Sequence, residues 1–152
     1  MLAAGASTRY GGVKQRELLP AVLDALRETD VDEVVVVAGA HALDVDATVV
    51  QCDSWALGPG ASLRCGLTAL GVDVERAVVV LADGPELDPR AVDRLLAHEA
   101  PFAAASYDGT RSHPVAYSRP WPEVPDQGGR ALEPVLVDCS DLRPPGDVDE
   151  RR

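Results

Sequence analysis

Two cations stand inside a run of small residues near the start of the chain. Arg9 and Lys14 follow Gly5, Ala6, Ser7 and Thr8 and bracket Gly11 and Gly12. That composition suits anion binding. Glycines let a backbone turn tightly and approach a ligand closely, and successive free N–H groups in such a loop make an anion nest. Arg9 offers a planar fork of donors and Lys14 a compact point charge, two complementary ways of meeting phosphate. Lys14 is the sole lysine of the chain; every other side-chain cation is an arginine. The loop is not a Walker loop, because Gln15 rather than Ser or Thr follows Lys14, and it is not G-x-G-x-x-G. The same residues also suit an ordinary βα turn with exposed cations. A further candidate is Asp83, which ends the apolar run Ala77-Val78-Val79-Val80-Leu81-Ala82 and precedes Gly84-Pro85. A carboxylate at a strand end can hold a hard cation such as Mg²⁺, which uses one or two carboxylates plus substrate phosphates. Asp147 and Asp149 in the acidic tail are candidates for the second carboxylate.

The elements that must carry these residues follow from the hydrophobic pattern. Met1-Leu2-Ala3-Ala4 reads as the end of a buried strand, and Val34-Val35-Val36-Val37-Ala38-Gly39 and residues 77–82 as strands covered on both faces, the mark of a parallel sheet. Residues 18–26 have helical spacing with Pro20 near the helix start, and a short helix is predicted over 42–47. Thr48-Val49-Val50 reads as a strand and residues 51–60 as a loop carrying Trp55. A helix starts near Ser62 and runs to about Leu70. Asp88-Pro89 opens another, with Asp88 as its cap. Residues 102–106 and 113–117 read as strands around an Asp108-Gly109 turn, 120–127 as loop, 131–135 as a helix start and 136–139 as a strand. Alternating strands and helices give an α/β layer fold with a mostly parallel sheet. In such sheets ligands bind beyond the carboxyl ends of the strands, where both the glycine loop and Asp83 fall.

Composition narrows the function classes. The 152 residues suit one domain over 1–152, and 46% apolar content supports a real core. The net charge of −11 argues against a nucleic-acid partner, which needs the opposite sign. No apolar run approaches the roughly 18 residues of a membrane span. Cys52, Cys65 and Cys139 show no C-x-x-C spacing, so neither a disulfide nor a zinc site is predicted, and a reducing cytoplasm fits.

Leu2-Ala3-Ala4-Gly5, Ser7, Arg9, Gly11 and Lys14 resemble the LAAG-x-S-x-R-x-G-x-x-K signature of the MobA-like nucleotidyltransferases. The similarity is greatest to the branch that includes the molybdenum cofactor cytidylyltransferases. Further segments match in order: Trp55-Ala56-Leu57-Gly58, Ser62-Leu63-Arg64-Cys65-Gly66-Leu67, Leu81-Ala82-Asp83-Gly84-Pro85, Ser112-His113-Pro114-Val115, the stretch from Asp126 to Leu132, and Gly146-Asp147-Val148-Asp149. The resemblance implies a Rossmann-like three-layer sandwich of the GT-A-like kind. It implies an NTP held by Leu2, Ala3, Ala4, Gly5, Ser7, Arg9, Lys14, Gly58, Ser62 and Leu63. Arg9, Lys14 and Asp83 would be catalytic. Mg²⁺ would sit on Asp83 with Asp149 or Asp147, and the acceptor would lie near His113, Asp126 and Arg130. Ala4, in place of a second glycine, resembles the cytidylyl branch and points to CTP and a phosphorylated acceptor of the molybdopterin type. The expected assembly is a monomer or weak dimer. The chain departs from the family pattern at both ends, where the first strand and the C-terminal helix are expected to be truncated, and at Ser112, which replaces a glycine. Two readings stay beside this one: a sugar-phosphate nucleotidyltransferase, and a degenerate NTP-binding protein without turnover. A structural or chaperone-like partner of a molybdoenzyme is a third.

Overall fold

A computed structural model of the chain describes residues 1–10 and 12–148. Ten main elements follow one another: β1 (Leu2–Ala3), α1 (Lys14–Arg27), β2 (Val35–Ala38), β3 (Thr48–Gln51), α2 (Pro59–Ala69), β4 (Arg76–Val79), α3 (Pro89–Ala97), β5 (Phe102–Tyr107), β6 (Thr110–Ser118) and β7 (Val135–Asp138). One half of the sheet has the order β1-β2-β3 and is parallel; the other has the order β4-β6-β5-β7. There β6 runs antiparallel to β4 and β5, while β5 and β7 are parallel. A parallel bridge between Leu2 and Leu81 joins the halves. Leu2 N–H donates to Val80 O at 2.9 Å and Ala82 N–H to Leu2 O at 3.0 Å. So β1 lies at the centre, and the loop that leaves it opens beside the chain that leaves β4. The Met1 nitrogen is enclosed at the other end of β1 and donates to Val35 O at 2.7 Å.

Helices cover both faces. Leu19, Val22, Leu23 and Leu26 of α1 bury against Val36, Val80 and Val92. Ala91 and Leu95 of α3 settle on the small residues Ala103, Ala105 and Ala116 of β5 and β6. On the opposite face Leu63 and Leu67 of α2 meet Val79, Val115 and Tyr117. This is the three-layer α/β arrangement that the hydrophobic runs demand, because strands apolar on both faces must be covered on both.

Local differences have physical reasons. α1 begins at Lys14, so Pro20 lies inside the helix rather than at its start. Pro20 is exposed, and the continuous buried stripe around it holds the helix together despite the lost backbone bond. Residues 42–47 form no helix. Leu43, Val45 and Ala47 pack on the core while Ala42, Asp44 and Asp46 face solvent, an alternation of period two that a helix cannot satisfy. α2 starts at Pro59, which puts Ser62 within its first turn. In place of a helix at 131–135 there is a single 3₁₀ turn at Gly129–Ala131.

The cysteine expectation is corrected: Cys52 and Cys65 are joined by a disulfide, with Cα atoms 5.8 Å apart. Spacing alone gave no sign of it because the sheet, not the local chain, brings the end of β3 against α2. The bond closes a loop with a sequence separation of 13, which contains Trp55. A closed loop of about 15 residues limits the unfolded chain by about 3 kcal/mol. Cys65→Ser should lower the unfolding free energy by about that amount, and thiol reductant should do the same to the wild type while leaving the variant unchanged. A denaturant midpoint in the wild type that ignores reductant would contradict this.

Candidate active site

A cleft of about 390 Å³ opens at the carboxyl ends of β1 and β4. One wall is Leu2, Ala3, Ala4 and Gly5; the opposite wall is Leu81, Ala82 and Asp83; Trp55, Gly58, Pro59 and Ser62 close the third side. A smaller annexe of about 170 Å³ continues past Ser7, Thr8, Arg9 and Tyr10. Gly5, Lys14, Gln15 and Asp83 line both spaces. The larger compartment has the apolar and aromatic lining suited to a base and sugar, and the annexe has backbone amides and cations.

Lys14 stands between the two spaces. It is 7% exposed, and its Nζ lies 3.1 Å from Asp83 Oδ2 and 3.6 Å from Asp147 Oδ1. The tail reaches this point because Val148 N–H donates to Asp83 O at 3.3 Å and Glu86 N–H to Pro145 O at 3.1 Å. Gly84 permits that approach: a Cβ there would stand 3.0 Å from Pro145 Cβ. Two carboxylates thus converge on one cation. That donor set suits a magnesium or manganese ion, which takes one or two carboxylates and leaves positions for phosphate and water. Among the described residues no group of three or more His, Cys, Asp or Glu could form an all-protein cage. Asp149, the other predicted metal ligand, and Gly11 lie outside the described residues.

The remaining predicted residues divide. Leu2, Ala3, Ala4, Gly5, Ser7, Arg9, Gly58 and Ser62 line the cleft or its annexe. Leu63 does not; it turns into the core beneath α2. Asp126 braces the wall: its carboxylate accepts from Arg64 Nη2 at 2.5 Å and its carbonyl from Gly60 N–H at 3.0 Å. Gly58, at φ 135°, lets that carbonyl approach, since any Cβ would strike it. Arg130 is exposed on the 3₁₀ turn, close enough to His113 to disfavour its charge.

His113 lies on β6 within the field of Asp83. Burial lowers its pKa from 6.5 to about 4, with Asp83 pulling the other way and Arg130 and Arg111 adding to the shift. It is therefore neutral at pH 7. The unfolded chain accepts this proton first as the solution is acidified. The stability from neutral His113 is full above pH 6.5 and is lost as pH falls toward about 4. Melting temperature should fall across that window, and the fall should be shallower in His113→Asn. Parallel curves for the two proteins would refute it.

Two residues passed over in the sequence reading also touch this site. Gln15 and His41 contact the backbone of the loop itself. His98 serves only its own turn, accepting from Ala100 N–H at 3.1 Å.

The comparisons with known proteins bear on the family and the fold. A family model described as the MobA-like NTP transferase domain matches residues 1–133. The chain belongs to this family. Among curated proteins, it is 32% identical over 142 residues to a bifunctional protein GlmU of Mycolicibacterium vanbaalenii, a match covering 78% of this chain and 29% of that protein. The chain thus spans less than a third of that relative's length. Among solved structures, Rv0371c of Mycobacterium tuberculosis H37Rv is 28% identical with a TM-score of 0.78, over 98% of this chain and 90% of that one. A complex of Rv0371c with manganese is 24% identical with a TM-score of 0.65, over 90% and 85% of the two chains. These likenesses match the α/β fold. No described helix is long and apolar enough to cross a membrane.

Proposed function

We propose that this MobA-like chain transfers a nucleoside monophosphate from an NTP to a phosphorylated small-molecule acceptor and releases pyrophosphate. The observation that carries the reading is Lys14, seated between Asp83 and Asp147 where the glycine loop meets the apolar cleft. In this reading the base and ribose lie against Trp55, Gly58 and Ser62, and the triphosphate runs along Gly5, Ser7 and Arg9. An oxygen of the acceptor phosphate attacks the α-phosphorus, and the bond from that phosphorus to the bridging oxygen of the leaving pyrophosphate breaks. Little covalent help is needed. Catalysis is alignment of the two phosphates and preorganised charge. Arg9 and Lys14 hold the β- and γ-phosphates and offset the charge that grows on the leaving group. A divalent cation on Asp83 and Asp147 would supply Lewis-acid polarisation of phosphate oxygens; Mg²⁺ fits, and the manganese complex of the similar Rv0371c supports a divalent ion of this kind. Neutral His113 and exposed Arg130 face the acceptor.

Ala4 favours CTP, with a molybdopterin-type acceptor as the partner substrate. A monomer or weak dimer suffices, because the proposed machinery lies within one chain. Calorimetry with each of the four NTPs and Mg²⁺ tests the base preference. CTP binding at least tenfold tighter than the others is the expected result; equal affinity for all four would remove the cytidylyl assignment, and no binding would remove the nucleotide reading.

A further inference from the structure

The loop that leaves β1 is held from behind at four successive carbonyls, those of residues 4–7. Ala4 O accepts from Ala40 N–H at 3.1 Å, Gly5 O from Gln15 Nε2 at 2.8 Å, Ala6 O from His41 Nε2 at 2.9 Å and Ser7 O from Tyr10 N–H at 3.1 Å. A carbonyl only accepts, so the His41 nitrogen that faces Ala6 carries a hydrogen. The amides behave oppositely. Among the described residues, the N–H groups of Gly5, Ala6 and Ser7 donate to no protein acceptor. The run therefore has its acceptors satisfied by the protein and its donors left for a ligand.

Peptide planarity turns this into a residue assignment. The C=O of one residue and the N–H of the next belong to one rigid plane and point in opposite directions. Gln15, by holding Gly5 O, fixes where the Ala6 N–H points. His41, by holding Ala6 O, fixes where the Ser7 N–H points. Gln15 has a second grip: its Oε1 accepts from Ser7 Oγ at 2.7 Å. Ser7 has φ 55°, a left-handed conformation that is uncommon for a residue with a side chain and that alternates the peptide planes of a nest. Gln15 is 8% exposed, and both of its polar atoms are engaged by the loop.

The geometry points to Gln15 and His41 as positioning residues that aim the Ala6 and Ser7 amides at a bound polyphosphate. They set phosphate affinity through the backbone rather than by contact with the reacting atoms. This rests on the nucleotide reading above and adds to it the two side chains that preorganise the anion seat.

The test uses inorganic triphosphate and CTP as probes, each with Mg²⁺, with cytidine as the phosphate-free control. Gln15→Met keeps the volume and removes both bonds; His41→Phe keeps the ring and removes one. Each should weaken triphosphate and CTP binding by about tenfold, the scale of one or two lost hydrogen bonds. Cytidine binding should stay unchanged. In turnover the loss should fall on KM more than on kcat. His41→Gln, which restores a donor at similar reach, should recover most of the affinity. If Gln15→Met does not fold, Ser7→Ala cuts the same clamp at its more accessible end and should cost about threefold. Triphosphate affinity within twofold of wild type in His41→Phe and in the folded Gln15 or Ser7 variant would overturn the assignment alone. A wild-type protein that binds neither triphosphate nor CTP would overturn the nucleotide reading and this assignment with it.

Discussion

Lys14→Met should lower kcat/KM for nucleotide turnover by about a thousandfold, the upper scale for losing one preorganised charge-stabilising group. The reason is the position of Lys14. Lys14 is almost fully enclosed, so its charge acts through a medium less screening than water. It lines both the base-sized cleft and the annexe, which is where a cation must stand to meet a triphosphate spanning the two. Methionine keeps an unbranched, flexible stem and removes the charge with its hydrogen-bond donors. Lys14→Arg should not rescue, because a planar guanidinium in the space of an ammonium presents its charge in a different place. A second consequence has the opposite sign. The ammonium and a divalent ion compete for Asp83 and Asp147, so metal binding without nucleotide should become tighter in Lys14→Met. Manganese titration followed by electron spin resonance reads this directly. Turnover within tenfold of wild type, or weaker metal binding, would contradict the role given to Lys14.

Asp83→Asn should be nearly as damaging, with a loss of turnover of about 10²–10³-fold and a raised metal requirement. The substitution is isosteric, so the packing of Gly84 against residues 145–146 and the bond from Val148 N–H to Asp83 O persist. Asparagine still accepts a hydrogen bond from Lys14, but it brings no charge to a cation. The site would keep only Asp147, whose side chain is 65% exposed and therefore well screened. Activity should recover partly at high Mn²⁺, and the melting temperature should move little. An unaltered metal titration in the active variant would show that Asp83 does not carry the ion.

Much of this arrangement was legible in the sequence because it rests on local signals. The Val34–Gly39 and Ala77–Ala82 runs are apolar on both faces, and that alone calls for covered central strands. Asp88 caps α3 as its type and the following proline predict, accepting from Arg90 N–H at 3.0 Å. The glycine loop and Asp83 fall side by side because neighbouring parallel strands put their carboxyl ends together, and α1 begins with Lys14 directly after the loop.

What was not legible depends on distant contacts. The start of α1 has no side-chain cap, and Val13 occupies the capping position. The first residue of the helix, Lys14, is instead engaged in a long-range ion pair with Asp83, which no local pattern signals. The Cys52–Cys65 bond has the same origin. Asp147 could be read only as one acid in an acidic tail, since its place beside Lys14 comes from the bonds that fold residues 145–148 over Asp83. Gln15 and His41 are ordinary residues in the sequence; only the pairing of their nitrogens with successive carbonyls gives them a role.

The central claim is that Lys14, Asp83 and the glycine loop together break the α–β phosphate bond of an NTP. The most direct measurement is pyrophosphate release from CTP with Mg²⁺ and a molybdopterin acceptor, run in parallel on the wild type, Lys14→Met and Asp83→Asn. The account predicts acceptor- and metal-dependent release by the wild type and its loss in both variants, with all three proteins folded. Equal release by all three would contradict the account, as would no release by a folded wild type from any NTP or with sugar-phosphate acceptors.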